Sequence, residues 1–333
     1  MPTDVLAPGR AATVLAWTRR PGVRLGILAV LAAASVGIFL TVGITGSWDF
    51  AVPFRARKVY AMVLVAFAIG VSTVLFQTIT DNRILTPSIM GFDSLYLLIQ
   101  TVVVFGFGAS ALATADEQVK WVVEVAVMVA FSTLLFRWIF AGAKRSIYLL
   151  VLVGIVFGTL FRSLSSMMQR MLDPASFAVL QDAFFASFNA LDEELMMLSA
   201  IAVLVVSLVG MRMLRVFDVI GLGESHAVGL GVNHRRVVTI MLVLIAVLVS
   251  VSTALVGPIT FFGLIVSNLA YGLLGSSRHV LVLPATVLLG VICLVGGQFV
   301  LEHLFALDTA LSVVIEFAGG ILFIVLLLKR GVR

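Results

Sequence analysis

The stretch GLGESHAVGLGVNHRR, residues 221–236, holds one acid, two histidines, an asparagine and two adjacent arginines, with four glycines spaced through it. Long apolar runs flank it, at 193–213 and 237–256. A helix needs about 20 apolar residues to cross the hydrocarbon core of a bilayer, and each flank has that length. The polar island between them therefore reads as a connection at a membrane surface. Glu224 and Ser225 suit a first helical turn, Ala227, Val228 and Leu230 supply an apolar edge, and Gly231 is placed to stop the helix. This predicts a short surface helix with apolar knobs and a polar rim, suited either to a groove on another protein or to lipid headgroups.

The rest of the chain agrees with the flanks. Of its 333 residues 61% are hydrophobic and 12% are charged, with a mean hydropathy of +1.18. A soluble domain carries about 25% charged residues, so this chain lacks the polar surface to coat a water-soluble particle. It is read as an all-α integral membrane protein of about ten transmembrane helices. The expected spans are 24–43, 58–77, 91–111, 119–140, 147–168, 193–213, 237–256, 259–274, 280–301 and 310–329. The eighth is short and opens at Gly257-Pro258, a break before a first turn that tolerates proline. TRRPGVRLGILAVLAAASVGIFLTV at 18–42 has a basic front like a signal peptide, but it is long enough to span and lacks a clear cleavage site, so it reads as a retained first helix. The expected organisation is a cytoplasmic tail over 1–23 and one membrane domain over 24–333.

The net charge is +5 and the pI about 9.8. Its distribution points to membrane orientation, not to nucleic acid. With the N-terminus inside, fifteen Lys and Arg fall on the inner side; only Arg55, Arg57, Lys58, Lys120 and Arg170 fall outside. Both termini are thus expected in the cytoplasm of a multi-pass protein in the cell membrane. Residues 214–236 then form the longest inner loop after the tail. The outer segment 169–192 could hold an amphipathic helix lying on the membrane. Arg137 and Arg162, inside spans, can snorkel to an end.

Several chemistries are excluded. Gly221-Leu222-Gly223 lacks the third glycine and the strand context of a dinucleotide loop, and no GxxxxGK[ST] occurs, so the chain has no P-loop for ATP hydrolysis. Cys293 is the only cysteine and the four histidines show no metal-ligand spacing, so no metal site is expected. Glu316 lies within the tenth span, where an acid is a functional candidate, either lining a pathway or pairing with Arg162.

Four ordered blocks carry a resemblance. GLGESHAVGLGVNHRR is similar to the LGEExAxxLGV coupling segment of the iron–siderophore (FecCD-type) permeases. PFRARKVYAMVLVAFAIGVSTVLFQTITDNRILTPSIMGF at 53–92 resembles that family's LRxPR…G…Q…RNPLAxPxxLG block, GPITFFGLIVSNLAYGLLG at 257–275 its GPIxFVGLIVPHIAR, and FAGGILFIVLLLKR at 317–330 its closing GxPxFLxLLLR. The chain departs from the pattern at Arg83 for a proline, Ser267-Asn268 for Pro-His, Tyr271 for Arg, and in LEHLFALDTALS before the last helix. These departures resemble the branch importing catecholate-type siderophores.

The resemblance implies the permease fold of a type II ABC importer, like the cobalamin importer. It implies no enzyme activity in this chain and no directly bound cofactor, with ATP used by an ATPase subunit dimer. Gly223, Glu224, Ser225, Ala227, Leu230 and Gly231 would contact that ATPase. Arg55, Arg57 and Lys58 would dock a substrate-binding lipoprotein or periplasmic binding protein, or else anchor in headgroups. Gln77, Asn82, Asn268 and Glu316 are the pathway candidates. A ferric siderophore would pass between this chain and a second permease, in a homo- or heterodimer. The other class considered is a proton-coupled secondary transporter of a small organic molecule. It would need ionisable relay groups at mid-membrane, for which the sequence offers Glu316 and Arg162.

Overall fold

A computed structural model describes residues 20–44, 46–108, 116–141, 147–182, 184–188, 192–305 and 311–331. The expected tail up to residue 19, and the basic residues Lys144, Arg145 and Arg333, lie outside the described residues. In chain order the α-helices are α1 Pro21–Thr41, α2 Trp48–Thr80, α3 Phe92–Phe107, α4 Glu117–Ala141, α5 Ile147–Gln169 and α6 Pro174–Asp182. There follow α7 Glu193–Ile220, α8 Glu224–Gly229, α9 His234–Val256, α10 Phe262–Leu274, α11 His279–Val300 and α12 Leu311–Gly331. Apart from the short α6 and α8, each overlaps one of the ten expected spans, with α2 starting ten residues before its expected span. Seven are long and apolar enough to cross a membrane; α3, α10 and α12 are shorter apolar helices.

α2 is the central post, packed against α9, α11, α10 and α7. Lipid tails are as apolar as leucine, so helices in a membrane associate through close packing, which small residues permit. α2 and its neighbours use them in this way. A Cβ on Gly70 would sit 3.0 Å from Thr286 of α11, and one on Gly290 would sit 2.9 Å from Ala66 of α2. Met62, Phe76, Met241 and Phe262 fill the remaining space and are fully buried.

The structure differs from the expected map at three connections. α7 continues to Ile220 because Leu214, Val216, Phe217 and Val219 keep an apolar face on the bundle, which shortens the expected loop 214–236 to residues 221–233. α10 has only 13 residues, roughly 20 Å of helix, and the chain from Gly257 to Phe261 covers the remaining depth without helical bonding. Irregular backbone at that depth has to be buried in protein. The outer segment supplies the cover: Ser187 N–H donates to the Val256 carbonyl at 2.8 Å, and Ala186 and Phe188 are buried. Residues 169–192 therefore do more than rest on a surface. α6 is capped by Asp173, whose carboxyl the Ser176 side chain and backbone hold below the usual carboxylate range, and Leu180 is buried.

Candidate functional site

α8 and the turn that closes it stand at the end of the bundle that also holds Arg212, Arg215, Arg235, Arg236 and Arg278. Gly223 precedes the helix at φ +92°, where a side chain would be strained. After Leu230, Gly231 takes φ +79°. Gly231 N–H donates to the Val228 carbonyl and Val232 N–H to that of Ala227, the paired bonds of a Schellman closure. Asn233 then caps α9 by accepting from Arg236 N–H at 3.1 Å. The glycines and the asparagine thus fix a six-residue helix that could not hold its shape by propensity alone. Ala227 turns into the bundle and is fully buried, so it seats the helix instead of contributing a knob. Leu222, Val228 and Leu230 are the exposed apolar side chains, and Ser225 and Glu224 form the polar rim, with Glu224 4.0 Å from His234.

The last turn of α7 is tied down beside this helix. His279 at the start of α11 donates its backbone N–H to Asp218 Oδ1 at 2.8 Å, and its Nδ1 lies 2.6 Å from the same oxygen. Its Nε2 lies 2.8 Å from Thr78 Oγ1 of α2. One residue earlier in α2, Gln77 donates to the Arg83 carbonyl at 2.7 Å and to Ser267 Oγ of α10 at 3.0 Å. Asn268 donates to the same Arg83 carbonyl at 3.0 Å, and the Arg83 guanidinium lies over the Tyr271 ring at 4.3 Å. Arg83, Ser267, Asn268 and Tyr271, which depart from the family pattern in two separate blocks of sequence, therefore meet in one place. Asn82 accepts from Ile84 N–H and shapes the turn between α2 and the 3₁₀ segment Pro87–Met90. Gln77 and Asn268, with Ser267, Tyr271 and Arg83, form a latch joining the end of α2 to α10.

At the opposite end the three outer cations have different partners. Arg55 donates to the Phe39 carbonyl at 2.9 Å and the Val42 carbonyl at 2.6 Å, closing the end of α1. Lys58 is enclosed and pairs with Glu302 at 3.2 Å. Arg57 pairs with Glu193 at 2.8 Å, but their side chains stay 54% and 65% exposed. Of the three, Arg57 is the cation open to a visiting protein.

Glu316 stands apart from the latch, on a cavity of about 640 Å³ between α3, α5, α12 and the irregular stretch that leads into α10. Thr260 Oγ1 lies 3.2 Å from Asp93 Oδ2 and 3.5 Å from Glu316 Oε1. Arg162 lines the same cavity, with Nη2 3.5 Å from Ser94 Oγ, so it turns to the cavity instead of snorkelling to a helix end. The structure shows no ion pair between Arg162 and Glu316 among the described residues.

A ten-span bundle with a glycine-closed surface helix can now be set against known proteins. The profile of the FecCD transport family matches residues 24–329. The chain belongs to the FecCD transport family. This FecCD-family permease is 48% identical over 312 residues to the petrobactin import system permease protein YclO of Bacillus subtilis (strain 168), covering 94% of this chain and 99% of that protein. It is 36% identical to the petrobactin import system permease protein FatC of Bacillus anthracis, covering 83% and 78%. Among solved structures it matches an inward-facing metal-chelate type ABC transporter with a TM-score of 0.75 at 23% identity, covering 93% of this chain and 99% of that one. The permease is a multi-pass membrane protein and a transport subunit, not an enzyme.

Two acids within the helices of this FecCD-family permease went unnoticed in sequence. Asp93 sits in the first turn of α3. Glu124 lies inside α4, is 3% exposed, and accepts from Gln100 at 2.7 Å. An acid within an apolar span was the available signal in both cases. Glu316 and Arg162 are thus not the only ionisable groups in the spans, and scarcity of such groups is no argument against a proton-coupled carrier; the family membership decides that question.

Proposed function

We propose that this permease is one of two membrane subunits of an ABC importer that brings a ferric siderophore of the petrobactin type across the cytoplasmic membrane. The observation that carries the reading is α8: an exposed, rigidly closed helix where Val228, with Leu222 and Leu230 on either side of the helix, has no cover among the described residues. An ATPase subunit fills that role, and the basic residues around α8 support a cytoplasmic side for it and for both termini. ATP binding and hydrolysis in the ATPase dimer shift α8, and the bundle alternates its open side. The permease itself holds no cofactor. The exposed apolar faces of α5 (Leu152, Val156, Leu160) and α12 (Phe317, Ile321, Ile324) suit a second permease, either a copy or a related chain. A binding protein approaches the opposite end, where Arg57 is available. The choice of cargo is supported by the near-full-length likeness to the petrobactin permease of Bacillus subtilis.

The test is purification of the importer with a panel of ferric siderophores. Ferric petrobactin with its binding protein should stimulate ATP hydrolysis above ferric hydroxamates. The variant Glu224→Arg with Leu230→Asp should insert in the membrane but lose its ATPase and its uptake. Co-purification of an active ATPase at wild-type yield would remove α8 as the contact.

A further inference from the structure

The cavity that holds Glu316 has a charge pattern with a specific consequence. Two carboxylates, Asp93 and Glu316, face it with one guanidinium, that of Arg162, so the charged side chains on its wall sum to −1 when all are ionised. The Thr260 hydroxyl has one proton and lies between both acids, so it serves one of them at a time. Ser88 is a further hydroxyl neighbour of Asp93. A second observation is independent of the acids. Ser165 lines the same cavity, is 3% exposed, and its Oγ has no hydrogen-bond partner among the described residues. A buried hydroxyl without a partner costs free energy unless something meets it. Unpaired carboxylates within a membrane-spanning bundle do so too.

An adjoining cavity of about 500 Å³ has the opposite character. It is lined by Arg162 and Arg170 with Ser163 and Ser166, and no carboxylate. Arg162 stands on the boundary between the two. The walls thus separate charge along α5, with a cationic part beside an anionic one. A solute bearing an anionic chelate core and a protonated amine meets a complementary group on each side, whereas a purely anionic chelate would meet Asp93 and Glu316 with repulsion.

We propose that the Asp93–Glu316 cavity is a binding subsite for a protonated amine of the transported chelate, with Ser165 as an additional acceptor. This rests on the reading of the protein as a ferric-chelate importer. A protonated amine is matched to the site because it donates up to three hydrogen bonds and carries the charge that the two acids lack.

The experiment has two arms, on the permease with its ATPase in lipid nanodiscs and on the reconstituted importer. The first measures binding of spermidine, an amine without a chelating core, by equilibrium dialysis. Saturable binding should weaken at least roughly tenfold in Asp93→Asn with Glu316→Gln, since a charged hydrogen bond is lost while shape is kept. It should tighten in Arg162→Gln, where a competing cation is removed, and this opposite sign cannot come from a failure to fold. Equal binding in wild type and in both variants, or no saturable binding in wild type, would overturn the proposal. The second arm compares uptake of a ferric bis-catecholate chelate bearing free secondary amines with its N-acetylated form. Wild type should prefer the free amine, and the ratio should fall towards one in the acid-to-amide variant; an unchanged ratio also overturns the proposal. If the importer carries neither chelate while spermidine still binds and the variants shift it as stated, the ferric-chelate reading fails and the amine subsite stands.

Discussion

Gly154→Ala is the sharpest test of how the cavity is framed. Gly154 and Gly158 lie one turn apart on α5 and face the turn that leads into α3. A Cβ on Gly154 would lie 2.8 Å from Met90 Cα, 3.1 Å from Met90 Cβ and 3.3 Å from Met90 Cγ. Carbon atoms in contact prefer about 3.5–4.0 Å, so the nearest pair is short by roughly 0.7 Å. The side chain of Met90 could swing aside, but its Cα cannot. The turn is held by the Gly91 N–H to Ser88 carbonyl bond at 3.1 Å, and Gly91 itself sits at φ +88° with its Cα against Gly158. Relief therefore requires α5 to move off α3 as a body. Overpacking of this kind costs about 1–3 kcal/mol. The same displacement carries Arg162, two turns along, away from Asp93. Thermal unfolding of the detergent-purified chain should show the loss, and uptake should fall with it. Gly210→Ala on α7 is the control: nothing lies within 4 Å of its Cβ, and replacing a helical glycine there should be neutral or stabilising by about 0.5–1 kcal/mol. Wild-type melting and uptake in Gly154→Ala would refute the close crossing.

Two further outcomes follow from the ends of the bundle. Arg57→Glu should change stability by less than about 1 kcal/mol, because its pair with Glu193 is exposed; it should slow association of the binding protein at low salt, with the difference shrinking as salt rises, and an unchanged rate and salt slope would leave headgroup anchoring as its role. His279→Leu removes both ring contacts, to Asp218 and to Thr78, each worth about 1–3 kcal/mol when a charged or buried partner is left unmatched. With the end of α7 loosened from α2, ATP hydrolysis should continue while uptake per ATP drops, and a wild-type ratio would show that this tie does not transmit motion.

Sequence by itself determined the class of protein and the number of its spans. Hydropathy acts over windows of about 20 residues, so the ten apolar runs declare themselves without any knowledge of their neighbours. Glu224 and Ser225 for the first turn and Gly231 for the stop likewise marked α8, because capping depends on residues a few positions apart. The extent of α7 was not legible, since residues 214–220 are held helical by an apolar face against the bundle that partners distant in sequence complete. Nor was the inward turn of Ala227, which depends on where the bundle lies. Arg83, Ser267, Asn268 and Tyr271 read as four separate departures, and only the packing of α2 against α10 makes them one latch. Asp93 and Glu316 are 223 positions apart in the chain and reach one hydroxyl, that of Thr260, only because α3, α12 and the irregular stretch before α10 converge. Local rules place residues along a helix; which faces meet is set by close packing among helices, where no single residue carries the information.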